Sequence, residues 1–471
     1  MDVKLEIKMK FNKIMQIMVA GATVVALSGC HIYKKYETPQ DTDLTKAYAE
    51  AVALPVDSAA FGNLRWEAVF TDPLLVDLIQ KALENNTNLR NAQLNVEVAK
   101  AQVLGAKLSY LPSVALAPNV AAASYDGADL GPTTYTIPAQ VSWEVDIFGK
   151  ILNSKRGAQA ALYQSEAYAQ AVRSQIISGV ATTYYTIAAI NSQLNLSRNT
   201  AEIWKQTVQT MRDLKEAGRG VTEAAVVQSA ANYYSILASI TDLETTRVQL
   251  NNSMSLLLNT MPQEWPVTDK VDLQVPAIYR AGVPMAELAS RPDVRASEQS
   301  LAAAYYSTNS ARAAFYPGLN IMANGGFTNL MGSLVHNPGV WFYQLAGSLA
   351  APLFSRGQNI ARLKAAKLQQ QQALNNFEYT ILSAASEVSN ALTTYQNSAD
   401  KAKFLVSQVD NLEKSVEYTN DLMLYSTGST SYLEVLTAQS SLLQAQISQI
   451  TTELAAAKAV INLYQALGGG R

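Results

Sequence analysis

Side chains able to carry acid–base, nucleophilic or metal chemistry are scarce in this 471-residue chain, which holds two histidines, His31 and His336, and one cysteine, Cys30. No Ser/His/Asp set can be assembled from them, and no His/Cys cluster has metal-ligand spacing. No catalytic residue and no metal ligand is therefore expected, and an acid-pair hydrolase has little support. The cysteine has another chemistry open to it. Lys4, Lys8, Lys10 and Lys13 precede the apolar run IMQIMVAGATVVAL, which ends in Leu27-Ser28-Gly29-Cys30. A basic start, a short apolar stretch and small residues before a cut describe a secretory signal peptide. The run is too short for a comfortable transmembrane helix. The ending L-S-G-C resembles the bacterial lipobox, after which the cysteine becomes an acylated first residue. Residues 1–29 read as the signal and Cys30 as the carrier of an acyl and diacylglycerol anchor; no other cofactor is expected. Each buried methylene of such an anchor adds about 0.8 kcal/mol of membrane affinity. Met9, which begins the more usual opening MKFNKI, competes with Met1 as the start.

The charged groups are few and balanced. They form 16% of the chain, 36 basic against 38 acidic, for a net charge of −2. That balance gives no basic patch for nucleic acid and no acidic tail. Solubility falls instead to neutral Ser, Thr, Asn and Gln. Length alone would suggest two or three domains.

The elements that must position these groups show most clearly in YTIPAQVSWEVDIFGK, residues 135 to 150. Tyr135, Ile137, Val141, Trp143, Val145 and Ile147 alternate with Thr136, Gln140, Ser142, Glu144 and Asp146, the pattern of a strand with two unlike faces. The chain is also written twice. Residues 88 to 118 align without gaps on 293 to 323, VDIFGK on APLFSRG, and TEAAVVQSAANYY on YLEVLTAQSSLLQ. So long a period means duplication of a whole half and not a solenoid.

Each half predicts a long helical segment; in the first it opens with the cap and first-turn proline of Asp72-Pro73, and Leu74, Leu78, Ala82, Leu89, Leu94, Val98 and Val103 follow one helical stripe. Two strands follow, at about 113–125 and 133–148 in the first half and 318–328 and 340–354 in the second. A very long helix comes next, roughly 151 to 216 and 357 to 425. Gly218, Gly220 and Gly428 then supply hairpin turns into a further helix of about forty residues. In the first long helix Val172, Ile176, Val180, Ile187, Leu194, Ala201, Trp204, Val208 and Met211 form a narrow coiled-coil-like stripe. An uninterrupted helix of that length spans on the order of 100 Å, so it must line something long or bundle into a stalk.

Four two-faced strands cannot stand alone in hydrocarbon, because open edges leave backbone groups unpaired. The smallest single-chain barrels use eight strands, so four imply oligomerisation, and three copies give twelve. Tyr135, Trp143, Trp341 and Tyr343 are then the lipid-facing aromatics, and Gln140, Ser142, Glu144 and Gln344 line the lumen.

The residues carrying these patterns resemble the TolC-like outer membrane factor family, lipoprotein efflux-channel branch. The resemblance rests on WEAVFTDPLLVDLIQKALENNTNLR, RPDVRASEQSLAAAYYSTNSARAAFYPGL, APLFSRG and GSTSYLEVLTAQSSL, in order over nearly the whole mature chain. It implies a mainly α fold with membrane β: a homotrimer whose twelve-stranded barrel crosses the outer membrane and continues as a periplasmic α-helical barrel. It implies a passive efflux conduit served by a periplasmic adaptor and an inner-membrane RND-type transporter. It also implies a periplasmic gate near Leu433, Glu434 and Thr437, with Asp421 a weaker member. A three-fold ring at Glu434 would favour cations at the entrance. This chain departs from the family in having Thr437 and Ser440 where others place an acid and a base.

The expected divisions are a signal at 1–29, a lipidated segment at 30–65, a first repeat at 66–260, an equatorial segment at 261–290, a second repeat at 291–467 and a tail at 468–471. A duct for protein secretion is the near alternative. A non-channel helical surface lipoprotein is the far one.

Overall fold

The computed structural model describes residues 33–53, 61–122, 134–268, 285–328, 340–425 and 432–470. The signal segment, Cys30, His31, His336 and Gly428 lie outside the described residues. The chain forms two compact units, one from residues 33–39, 95–166 and 296–378 and the other from 40–94, 167–295 and 379–470. Each unit draws on both halves of the duplicated sequence, because like ends of the two halves pack together.

The helices, in chain order, are α1 (Asp43–Val52), α2 (Trp66–Val69), α3 (Pro73–Asn85), α4 (Thr87–Leu108), α5 (Lys150–Glu216), α6 (Glu223–Leu257), α7 (Met285–Ala289), α8 (Pro292–Ala313), α9 (Gln358–Tyr425) and α10 (Tyr432–Ala466). The strands are β1 (Ser113–Leu116), β2 (Asn119–Ala121), β3 (Thr134–Val145), β4 (Gly318–Thr328) and β5 (Val340–Ala350).

The first unit holds the sheet, antiparallel throughout, in the order β1-β3-β4-β5 with β2 also on β3. Two strand expectations need correction. The strand expected over 113–125 is two short pieces, since Pro118 has no N–H to give the ladder; residues 123–125 lie outside the described residues. The strand expected over 133–148 ends at Val145, where the Asp146 carboxylate turns to accept the Leu152 N–H at 2.6 Å and caps α5. Likewise β5 stops at Ala350 and not at 354, ahead of Pro352. In the same unit Ala99, Val103 and Leu162 make a small buried cluster between α4 and α5, with Val96 and Ala158 against it.

In the second unit the long helices bury the predicted stripe: Val180 and Met211 are fully enclosed, and Ile187, Leu194 and Trp204 nearly so. The single helical segment predicted ahead of the strands is instead broken in two. Asn86 ends α3, and its side-chain oxygen accepts the Asn88 and Leu89 amides at 2.9 and 3.2 Å to start α4. Leu94 and Val98, expected on the buried stripe, are exposed. The outer edge of this unit is tied by Tyr464, whose hydroxyl donates to the Leu64 carbonyl at 2.8 Å and whose ring meets Phe61 and Phe70 edge-on.

Candidate barrel wall and gate

Antiparallel register settles which side chains share a face, because Cα partners point the same way. On one face Val114 pairs with Val141, Trp143 with Ile321, Phe327 with Trp341, and Leu319 with Leu349. Tyr135, opposite Val120, and Tyr343, opposite Gly325, complete it. On the other face Gln140 pairs with Asn324 and Asn324 with Gln344; Ser142 meets Met322, and Glu144 meets Asn320. The register thus puts all four expected lumen residues on one face and all four expected aromatics on the other. It also adds Asn320 and Asn324, which the alternation in LNIMAN already signals.

The apolar face is bare within the chain: Val120 is 71% exposed, Leu349 67% and Tyr343 82%. Water does not tolerate a contiguous apolar sheet of this extent, so the face is built for another solvent or a partner. Trp143 is anchored differently, its indole N–H donating to the Tyr110 carbonyl at 2.9 Å. Among the described residues no helix is long and apolar enough to cross a membrane.

The chain returns to this region at its beginning. Tyr33 lies against Gly149, at a φ of +69°, just after β3. Tyr36 packs on Tyr305 at 5.8 Å, and its backbone N–H donates to the Tyr306 hydroxyl at 3.1 Å. Burial, with Glu298 nearby, pushes the Tyr36 phenol well above its ordinary pKa. Thr38 donates to Glu298 at 2.6 Å.

In the second unit α10 begins at Tyr432. Val435, Leu436, Ala438 and Gln439 turn inward, and Leu436 joins Ala201, Trp204 and Ile236 in a core cluster. Leu433, Glu434, Thr437 and Ser440 share the outward stripe, with Leu433 63% exposed despite being apolar. The Thr437 hydroxyl donates to the Leu433 carbonyl at 2.7 Å, one turn back. Asp421 is exposed on α9, and the turn between them lies outside the described residues.

Tyr432 locks this start in place: its hydroxyl donates to the Ala225 carbonyl of α6 at 2.8 Å and contacts Ser229. Its pKa is raised by burial, with the Ser229 hydrogen bond pulling the other way. Across the other hairpin Gly218 and Gly220 both hold positive φ, +68° and +74°, while Thr222 caps α6 through the Ala225 amide at 3.3 Å.

One node has no counterpart in the sequence reading. Arg291 is 5% exposed and forks onto Asp293 at 2.7 and 3.0 Å, reaches Glu387 at 2.7 Å, and donates to the Ala466 carbonyl that ends α10, also at 2.7 Å. Burial lowers its pKa and the two carboxylates raise it, for a net rise. The RPD spelling was the only visible signal.

A two-faced sheet whose edges are unpaired among the described residues, together with long striped helices, points to a membrane-channel class of protein. Comparison with known proteins gives the same class. The family model for outer membrane efflux proteins matches residues 78–260 and 283–469. The chain is 29% identical to the probable outer membrane lipoprotein SilC of Salmonella typhimurium, over 96% of this chain and 98% of that one. It is 27% identical to the cation efflux system protein CusC of Escherichia coli O6:H1, over 95% and 97%. Solved structures of CusC, at 25% identity, and of the outer-membrane channel OprN, at 26%, each superpose with a TM-score of 0.80 over 93% of this chain and 99% of theirs.

The chain belongs to the outer membrane efflux protein family. Its fold is that of the TolC-like channels, and its place is the bacterial outer membrane.

Proposed function

We propose that the chain works as one third of a passive outer membrane conduit for small molecules, in a tripartite pump with a periplasmic adaptor and an inner-membrane RND-type transporter. The observation that carries this is the sheet, apolar and exposed on one side, polar on the other, with β1/β2 and β5 as its edges. In hydrocarbon those edges must pair, and pairing with two further copies closes twelve strands around water. Energy comes from the transporter, and cargo is whatever it supplies. Relatives are named for toluene, antibiotic and cation efflux at similar identity.

Acylation of Cys30 fits this arrangement, and SilC is named a lipoprotein. Tyr33, three residues on, sits where strands give way to helices, so acyl chains at Cys30 would reach the periplasmic leaflet. The outward stripe at Leu433, Glu434 and Thr437 is suited to meet its copies at a constriction, since α10 spends its other face on the intrachain core.

Light scattering of the detergent-purified protein should give a trimer that conducts ions in planar bilayers. A delipidated protein that dissolves as a monomer without surfactant would overturn the reading. Cys30→Ser should leave the purified trimer conducting while abolishing labelling by radioactive fatty acid.

A further inference from the structure

On the polar face of the sheet the side chains fall into rows, read across the strands from the register. Towards the helices lies Glu144-Asn320-Ser348, then Ser142-Met322-Ala346, then Gln140-Asn324-Gln344, then Pro138-Gly326-Phe342, then Thr136-Thr328. The middle row is unlike the rest. Three long amides stand side by side on three adjacent strands, about 10 Å of wall at the usual spacing. Each amide offers donors and an acceptor and no charge.

The face is also electrically quiet. Among the described strand residues Glu144 is its only ionisable group, and Lys150 sits on that carboxylate at 2.8 Å. Asp146, next in the same alternation, is spent on the amide that starts α5.

We propose that Gln140, Asn324 and Gln344 of each copy form a charge-neutral amide collar inside the barrel, which offers cations and anions the same hydrogen-bonding wall and leaves charge selection to the helical end. This rests on the channel reading. Strands tilt in a barrel, so each row is a slanted arc, and three-fold symmetry sets the arcs at one level. Amides bond equally to groups that donate and to groups that accept. Cations and anions therefore meet the same wall. The Glu144–Lys150 pair keeps it so by cancelling the one carboxylate of the described strand wall, which lies two rows or about 13 Å from the collar and would be felt there at low salt, where the Debye length reaches about 30 Å.

The test uses the full-length channel in vesicles, with thiols introduced one at a time and methanethiosulfonate reagents added outside. At Gln140→Cys, Asn324→Cys and Gln344→Cys, cationic and anionic reagents should react within about twofold of each other, after correction for a free thiol. Adding Lys150→Gln unmasks Glu144 and, at about 0.01 M salt, should favour the cationic reagent by about fivefold. Adding Glu144→Gln as well should restore parity. A preference of more than about tenfold at the collar with Lys150 intact would sink the proposal.

If no polar-face thiol reacts but Leu345→Cys does, the channel reading itself fails, an outcome distinct from a charge preference at the collar.

Discussion

Arg291 shows what a single buried side chain does here. Its guanidinium satisfies two carboxylates and the last carbonyl of α10 at once, a planar fork that an ammonium cannot match. Asp293 and Glu387 are both well exposed, so without the arginine they rehydrate, and the loss is that of the hydrogen bonds and the helix cap. Arg291→Ala should destabilise the protein by about 2–3 kcal/mol, read by thermal unfolding in detergent, with Arg291→Lys recovering only part. Close packing acts at the same scale. A Cβ at Gly469 would lie 2.4 Å from the Tyr464 ring, whose hydroxyl already holds Leu64. Gly469→Ala should therefore lose about 1–3 kcal/mol by the same measurement, far more than a surface glycine. Beyond the RPD spelling, little of this was legible. Asp293 is a near neighbour of Arg291 in the chain, as Tyr464 is of Gly469, but Glu387, Ala466 and Leu64 lie 96, 175 and 400 residues from the side chains they meet.

At the scale of elements the sequence spoke more plainly, and for a physical reason. Alternation is a local pattern with an exact period of two, so Tyr135 to Val145 predicts both the strand and its faces, and register then adds Asn320 and Asn324. The misses fall where one residue overrides the pattern: Pro118 splits a strand, Asp146 ends one early, and Asn86 caps a new helix inside an apolar stripe. The hairpin between α5 and α6 depends on backbone handedness. Gly218 and Gly220 have open space around a would-be Cβ, so any penalty there is conformational. Gly218→Ala should lower stability by about 1–2 kcal/mol, and Gly218→Asn by clearly less, since Asn tolerates positive φ. Equal losses for Ala and Asn, in the same melting experiment, would mean the turn is held by something other than φ.

For the whole molecule the question is where charge is read along the conduit. Among the described residues the strand wall carries one carboxylate per copy, Glu144, and pairs it with Lys150. Glu434 lies on the stripe of α10 that the intrachain core does not use, with apolar Leu433 beside it and Thr437 a turn on. If three copies bring that stripe together, three carboxylates face one narrow path, and cations outnumber anions there. The wild-type channel should then show a cation-favouring reversal potential in a potassium chloride gradient. Glu434→Gln should move it most of the way to zero, and Glu434→Lys should reverse its sign. The Debye length is about 10 Å at 0.1 M and about 3 Å at 1 M, so the difference between wild type and Glu434→Gln should shrink sharply at high salt. Thr437→Asp supplies the acid that other family members place there, and should steepen the cation preference where Glu434→Gln weakens it. A reversal potential that ignores all three substitutions at low salt would remove Glu434 from the gate and leave the neutral strand wall standing.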